Sequence, residues 1–215
     1  MSDYIANRIS KFNRVRKFNF FMNELKPRTT DRILDVGATD IEYTYNDNIL
    51  EKLYKLPVNI TVLGVESYNE FREHYPEIKC VTYDGTIFPF KNKSFDICWC
   101  NAVLEHVGNF EKQLSFIKEI ERSSQKAFIT TPNRFFPIEV HTKIPLLHYL
   151  PRKVFNKILQ FIGRDWAAGN YMFLLSLKDL IYLFEKAGIK KYKIYKNKIL
   201  FFTMTYSIVI GEPVK

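Results

Sequence analysis

The sequence predicts an α/β fold: a doubly wound open sheet of about seven strands, mostly parallel with an antiparallel terminal strand, plus a helical insertion. Three observations predict it. Short β-branched or apolar runs alternate with longer segments of helical periodicity, the pattern of parallel βαβ units. The first such run, Arg32 to Val36, ends in a glycine, Gly37. The chain has 215 residues and is 47% hydrophobic, enough to bury a core without staples. It is read as one domain over 1–215, with a basic helix in 1–27 and an inserted helical cover in 133–172.

Residues 5–25 form a basic amphipathic helix with Ile9, Phe12, Arg16 and Phe20 in rough periodicity, stopped by Pro27. Arg32 to Val36 is the first strand. Asn48 to Leu56 reads as a helix that places Ile49, Leu53 and Leu56 on one face, with Asp47 as its N-cap. Asn59 to Val65 is a β-branched strand. A short helix over 67–75 ends at Pro76, and Ile78 to Tyr83 is the third strand. Phe95 to Asn101 is the fourth. Glu111 to Ser123 is helical, with Leu114, Ile117 and Ile120 on an apolar stripe. Ala127 to Thr131 is the fifth strand, stopped by Pro132. After the cover, Ser176 and Asp179 make a capping box, and Gly188 closes that helix. Lys191 to Tyr195 and Phe202 to Ile210 are a final antiparallel pair.

The net charge is +9, concentrated in Arg8, Lys11, Arg14, Arg16 and Lys17 and again between Lys186 and Lys198. Such a balance suits RNA, anionic headgroups or acidic small substrates as readily as a solvated surface. Cys98 and Cys100 are two apart in a strand, a poor geometry for a disulfide, and no zinc quartet is present. Reduced thiols and a start without an apolar signal core point to the cytoplasm. The longest apolar stretch, Ile199 to Ile210, is far short of the roughly 20 residues of a membrane span.

In a sheet of this kind, ligands bind outside the carboxyl ends of the strands. Four places there carry chemistry. The first turn is Asp35-Val36-Gly37-Ala38-Thr39-Asp40, where glycine lets a ligand approach the backbone. Glu66, after the second strand, can accept both hydroxyls of a ribose. Asp84 and Gly85, after the third, can flank an adenine. Taken singly, each is as readily a turn or a solvated acid. The fourth is the run Phe88-Pro89-Phe90 through Ser94-Phe95-Asp96, leading into Asn101-Ala102-Val103-Leu104-Glu105-His106-Val107.

That fourth run resembles the "PF…SFD" and "…VLEHV" stretches around the fourth strand of class I S-adenosylmethionine-dependent methyltransferases, a Rossmann-like fold. The resemblance covers roughly Arg32 to Pro132, and the cover looks like that of a bacterial subgroup. It implies transfer of a methyl group from S-adenosylmethionine. Asp35, Gly37, Ala38 and Thr39 would then shape the loop around the cofactor's methionine part. Glu66 would bind the ribose, Asp84 and Gly85 the adenine, and Asn101 and Ala102 would line the space near the methyl. The sequence departs from the family's D-x-G-x-G-x-G turn at Thr39 and Ile41. The separation of Asp35 from Glu66 also exceeds the roughly 20 residues of dinucleotide-binding relatives.

Among the histidines, His106 is the first choice to face an acceptor as general base, against a packing role. Glu139 and His141, in the cover, form a second acid–base pair or a structural hydrogen bond. No metal site is expected. The expected acceptor is a small molecule or a glycan- or lipid-linked substrate. Nucleic acid is the less favoured acceptor, and a catalytically degenerate binding domain is the alternative that Thr39 and Ile41 motivate. The basic N-terminal helix could also touch an anionic membrane. The sequence leaves the oligomeric state open.

Overall fold

The structure is a computed structural model that describes residues 2–138, 144, 146–164 and 172–211, with side chains outside 2–9 and 152. Seven strands form one sheet in the order β3-β2-β1-β4-β5-β7-β6. They are β1 (Ile33–Val36), β2 (Ile60–Gly64), β3 (Lys79–Thr82), β4 (Phe95–Asn101), β5 (Ser124–Pro132), β6 (Tyr192–Ile199) and β7 (Phe202–Ile210). β1 pairs in parallel with β2 and β4, and β2 with β3. The order reverses between β1 and β4, the switch point at which such sheets bind ligands. Among the described residues, the helices of at least five residues are α1 (Ser2–Leu25), α2 (Ile49–Leu53), α3 (Asn69–His74), α4 (Phe110–Ser123), α5 (Arg152–Phe161) and α6 (Leu177–Ala187).

The chain divides into two compact units: residues 1–100, 119–128 and 209–215, and residues 101–118 and 129–208. The first has an aromatic core. Phe21 of α1 meets Trp99 at 5.0 Å and Phe128 at 5.7 Å, and Trp99 stacks on Phe128 at 5.2 Å. Phe18 and Leu25 are buried with them. The "PF…SFD" stretch is framework here. Arg122 donates to the carbonyls of Phe90 (2.7 Å) and Phe88 (3.0 Å) while paired with Glu119, and Glu119 accepts from the Phe88 amide at 2.8 Å. Arg122 holds the Glu119 carboxyl below its ordinary value. Asp96 accepts from the Arg32 amide at 2.9 Å, tying the start of β4 to that of β1.

In the second unit the predicted capping box is present. Ser176 accepts from the Asp179 amide, Asp179 accepts from the Ser176 amide, and Gly188 ends α6 at φ 75°. Asn133, just past β5, donates to the carbonyls of Met204 and Thr203 and accepts from the Tyr206 hydroxyl.

Several expectations change, among them β5, which starts at Ser124 rather than Ala127 and includes Pro132. The buried face of α1 is Asn13, Lys17, Phe18, Phe21 and Leu25, whereas Phe12 is 65% exposed. α2 is only Ile49–Leu53, and its N-cap is Asn48 in a left-handed conformation, not Asp47. β6 runs on to Ile199, beyond the expected Tyr195.

Candidate cofactor and acceptor sites

In the first unit, successive strand tips are tied together. Gly37 leaves β1 at φ 95°, which only glycine adopts without steric cost, and its amide donates to the Leu63 carbonyl at 2.9 Å. The Tyr83 amide donates to Gly64, and the Thr82 hydroxyl to the carbonyl of Glu66. Ala38, Thr39, Glu66, Asp84 and Gly85 therefore stand on neighbouring tips, as the sequence predicts. Glu66 is exposed two residues past β2. Asp84 is exposed and accepts from the Thr86 hydroxyl (2.6 Å) and amide (2.9 Å), which hold its carboxyl below the ordinary range. It is thus an anion at neutral pH.

The loop after Gly37 is closed by a side chain. The Asn48 amide group accepts from the Thr39 amide at 2.9 Å and donates to the Thr39 carbonyl at 2.9 Å. It also donates to Glu42, which pairs with Lys52 at 2.6 Å and accepts from the Tyr75 hydroxyl at 2.7 Å. Asp40 accepts from the Phe71 amide at 2.9 Å. The residues at the missing glycine positions thus belong to a loop fastened by side chains. Gly64 is required for a different reason: a Cβ there would collide with the buried Tyr68 hydroxyl. That hydroxyl donates to Ala38, and burial pushes its titration up, so it stays a donor.

Asp35 is 4% exposed and lies beside Glu51 of α2, 5% exposed. Burial raises both carboxyls above their ordinary values, Asp35 strongly so. The like charge of Glu51 adds to the rise at Asp35. Sequence reasoning missed Glu51, because its partner lies on another element.

In the second unit, Asn101 accepts from the Thr130 hydroxyl at 2.7 Å, and the Ala102 amide donates to the Thr130 carbonyl at 3.0 Å. Ala102 has φ 60°, a strained turn for a residue with a Cβ, at the end of β4. The next turn, Leu104–His106, buries Glu105, which accepts from the Thr131 hydroxyl at 3.0 Å. His106 is half-buried beside it in sequence. The burial of Glu105 was not read from the sequence, where it stood only as part of the "VLEHV" run. Glu139 and His141 lie outside the described residues. Among the described residues no cluster of three metal-ligating side chains occurs. No described helix is long and apolar enough to cross a membrane.

This unit contains a cavity of about 480 Å³. Phe110 and Gln113 of α4 form one wall, His148 and Tyr149 another, and Phe173 a third, with Arg134 also lining it. Gln113 is fixed by donating to the carbonyls of Leu104 and Phe173, and the Phe173 amide donates to the Glu105 carbonyl. Cavity and β4 turn are thereby linked.

Comparisons with known proteins bear on the fold. A family model described as a methyltransferase domain matches residues 34–127. No curated protein matches. The fold is similar to a SAM-dependent methyltransferase from Aquifex aeolicus, at 12% identity and TM-score 0.58, over 94% of this chain and 91% of that one. A second, from Methanosarcina mazei, has 15% identity and TM-score 0.52, over 86% and 92%. The N-terminal domain of EvdMO1, solved with SAH bound, has 14% identity and TM-score 0.52, over 94% and 81%. At these identities the likeness is one of fold.

Proposed function

Because a family model described as a methyltransferase domain matches residues 34–127 and the fold is similar to that of S-adenosylmethionine-dependent methyltransferases, we propose that the chain is a working methyltransferase using that cofactor. The observation that carries the reading is the set of tips in the first unit. An open backbone at Gly37, an exposed carboxylate at Glu66 and an anionic Asp84 offer what a ribosyl-adenine ligand needs. Asp35, Ala38, Thr39 and Gly85 complete that set, and Asn101 and Ala102 keep the role the resemblance implies. When bound, S-adenosylmethionine would supply an electrophilic methyl group on a sulfonium sulfur, which departs as a neutral thioether. The protein's share is to align the acceptor and exclude water.

The second unit supplies the acceptor site. A cavity of about 480 Å³ falls within the range of small-molecule sites, roughly 300–1,000 Å³. Its aromatic walls suit an apolar body, and Arg134 and Asp179, both lining it, suit a polar group on the same molecule. The acceptor is therefore an amphipathic small molecule or a lipid- or glycan-linked one. For an oxygen acceptor, His106, on the turn after β4, is the proposed general base. Glu139 and His141 remain as a second proposed pair.

Calorimetry tests the cofactor reading. Wild-type protein binds S-adenosylmethionine, and Glu66→Ala weakens binding roughly 10- to 100-fold through loss of charge-assisted hydrogen bonds. Absence of binding by the wild type overturns the reading.

A further inference from the structure

β6 and β7 are neighbours in the sheet, and only Leu200 and Phe201 link them, so they form a tight antiparallel hairpin. Two-residue turns of this kind ordinarily take glycine, asparagine or aspartate, because the backbone enters the left-handed region. Here Leu200 occupies it, with φ 53°. That placement carries a steric cost that glycine would avoid. Burial does not offset it: Leu200 is 84% exposed, Phe201 91% and Phe202 53%. Three consecutive apolar side chains stand in solvent at a strained turn.

Their surroundings are basic. From Gly188 to Ile210 the sequence has five lysines, at 190, 191, 193, 196 and 198, and no acidic residue. Lys193, Lys196 and Lys198 are exposed on β6, the edge strand, and lead up to the tip. Asn197 between the last two turns the other way and donates to Thr205 and Ser207 of β7. The hairpin thus presents an apolar end with lysines behind it.

We propose that this tip docks the protein on an anionic lipid surface, with Leu200, Phe201 and Phe202 entering the headgroup–acyl boundary and the lysines meeting lipid phosphates. Both halves of the feature are used at once there: apolar area is removed from water, and flexible cations stay at the polar level. The tip also lies close to the cavity's lining. Asn133 donates from its amide to the Met204 carbonyl and from its side chain to the Thr203 carbonyl, both at 2.9 Å, and the next residue, Arg134, lines the cavity. Docking therefore brings that wall of the cavity towards the headgroups. The proposal goes beyond the methyl-transfer reading and does not require it.

Vesicle co-sedimentation of the full chain tests it, with phosphatidylcholine vesicles containing or lacking phosphatidylglycerol. The wild type pellets with the anionic vesicles, and raised salt weakens the association. Leu200→Gly/Phe201→Ser, which relieves the turn, weakens binding roughly tenfold or more. Lys196→Glu/Lys198→Glu abolishes the preference for anionic lipid, and circular-dichroism melting confirms that each variant is folded. Failure of the wild type to bind anionic vesicles overturns the proposal. So does equal binding by the tip variants, self-association through the tip in ultracentrifugation, or binding of single-stranded RNA in place of vesicles.

Discussion

At the scale of single residues, the Asp35–Glu51 pair is the most consequential feature of the first unit. Two carboxyls buried together cannot both ionise at the ordinary values of 3.8 and 4.5. Because the folded-state values are raised, the native protein holds more protons than the unfolded chain once pH exceeds the ordinary values and until it passes the raised ones. Stability from this pair is therefore present at acidic pH and is lost as pH rises towards the folded-state values. Glu51→Gln removes one titrating group and supplies a neutral donor beside Asp35. Its melting temperature should fall less than that of the wild type between mildly acidic and mildly alkaline buffer, and should exceed the wild type's at the alkaline end. Parallel pH dependences for the two proteins would refute this. The pair was invisible in the sequence because burial and proximity, not spacing along the chain, create it.

At the scale of elements, α1 shows how far pattern reading carries. Its existence was legible, but its buried face was not. Lys17 is buried with Asn13, while Phe12 faces solvent over Arg16 at 5.6 Å. Long cationic side chains cover apolar surface with their stems, so charge does not mark the outer face. The prediction is asymmetric. Phe21→Ala, removing a ring packed on Trp99 and Phe128, costs about 3–5 kcal/mol in denaturant unfolding. Phe12→Ala costs less than about 0.5 kcal/mol. Comparable losses would show that the helix docks differently. β4 and β7 were read with their observed limits, because apolar runs bounded by polar residues or breakers leave little freedom. α6 was read from Ser176 and Gly188, whose capping roles are local. α2 was misread because Asn48, which starts it, makes its bonds to Thr39 and Glu42, nine and six residues away.

At the scale of the whole molecule, strand order was not in the sequence, but the rule that ligands gather at the strands' carboxyl ends was enough to locate the tips. Glu66 and Asp84 stand where the pattern put them. The cavity, by contrast, draws its walls from segments as far apart as Phe110 and Phe173, and no spacing rule assembles those. The net charge of +9 was legible as a sum, but its meaning came from where the lysines of β6 lie. The Asn48 tie across the loop proposed to hold the cofactor has a thermodynamic consequence. A turn built from glycines is loose until its ligand arrives and is ordered at the ligand's expense. Here the ordering was completed when the chain folded, so under the proposed reading the loop is preorganised for its ligand. Asn48→Ala should therefore make the binding entropy for S-adenosylmethionine less favourable in calorimetry, and an unchanged entropy would show that the loop is held by other means. Rigidity written in one amide takes the place of flexibility written in three glycines.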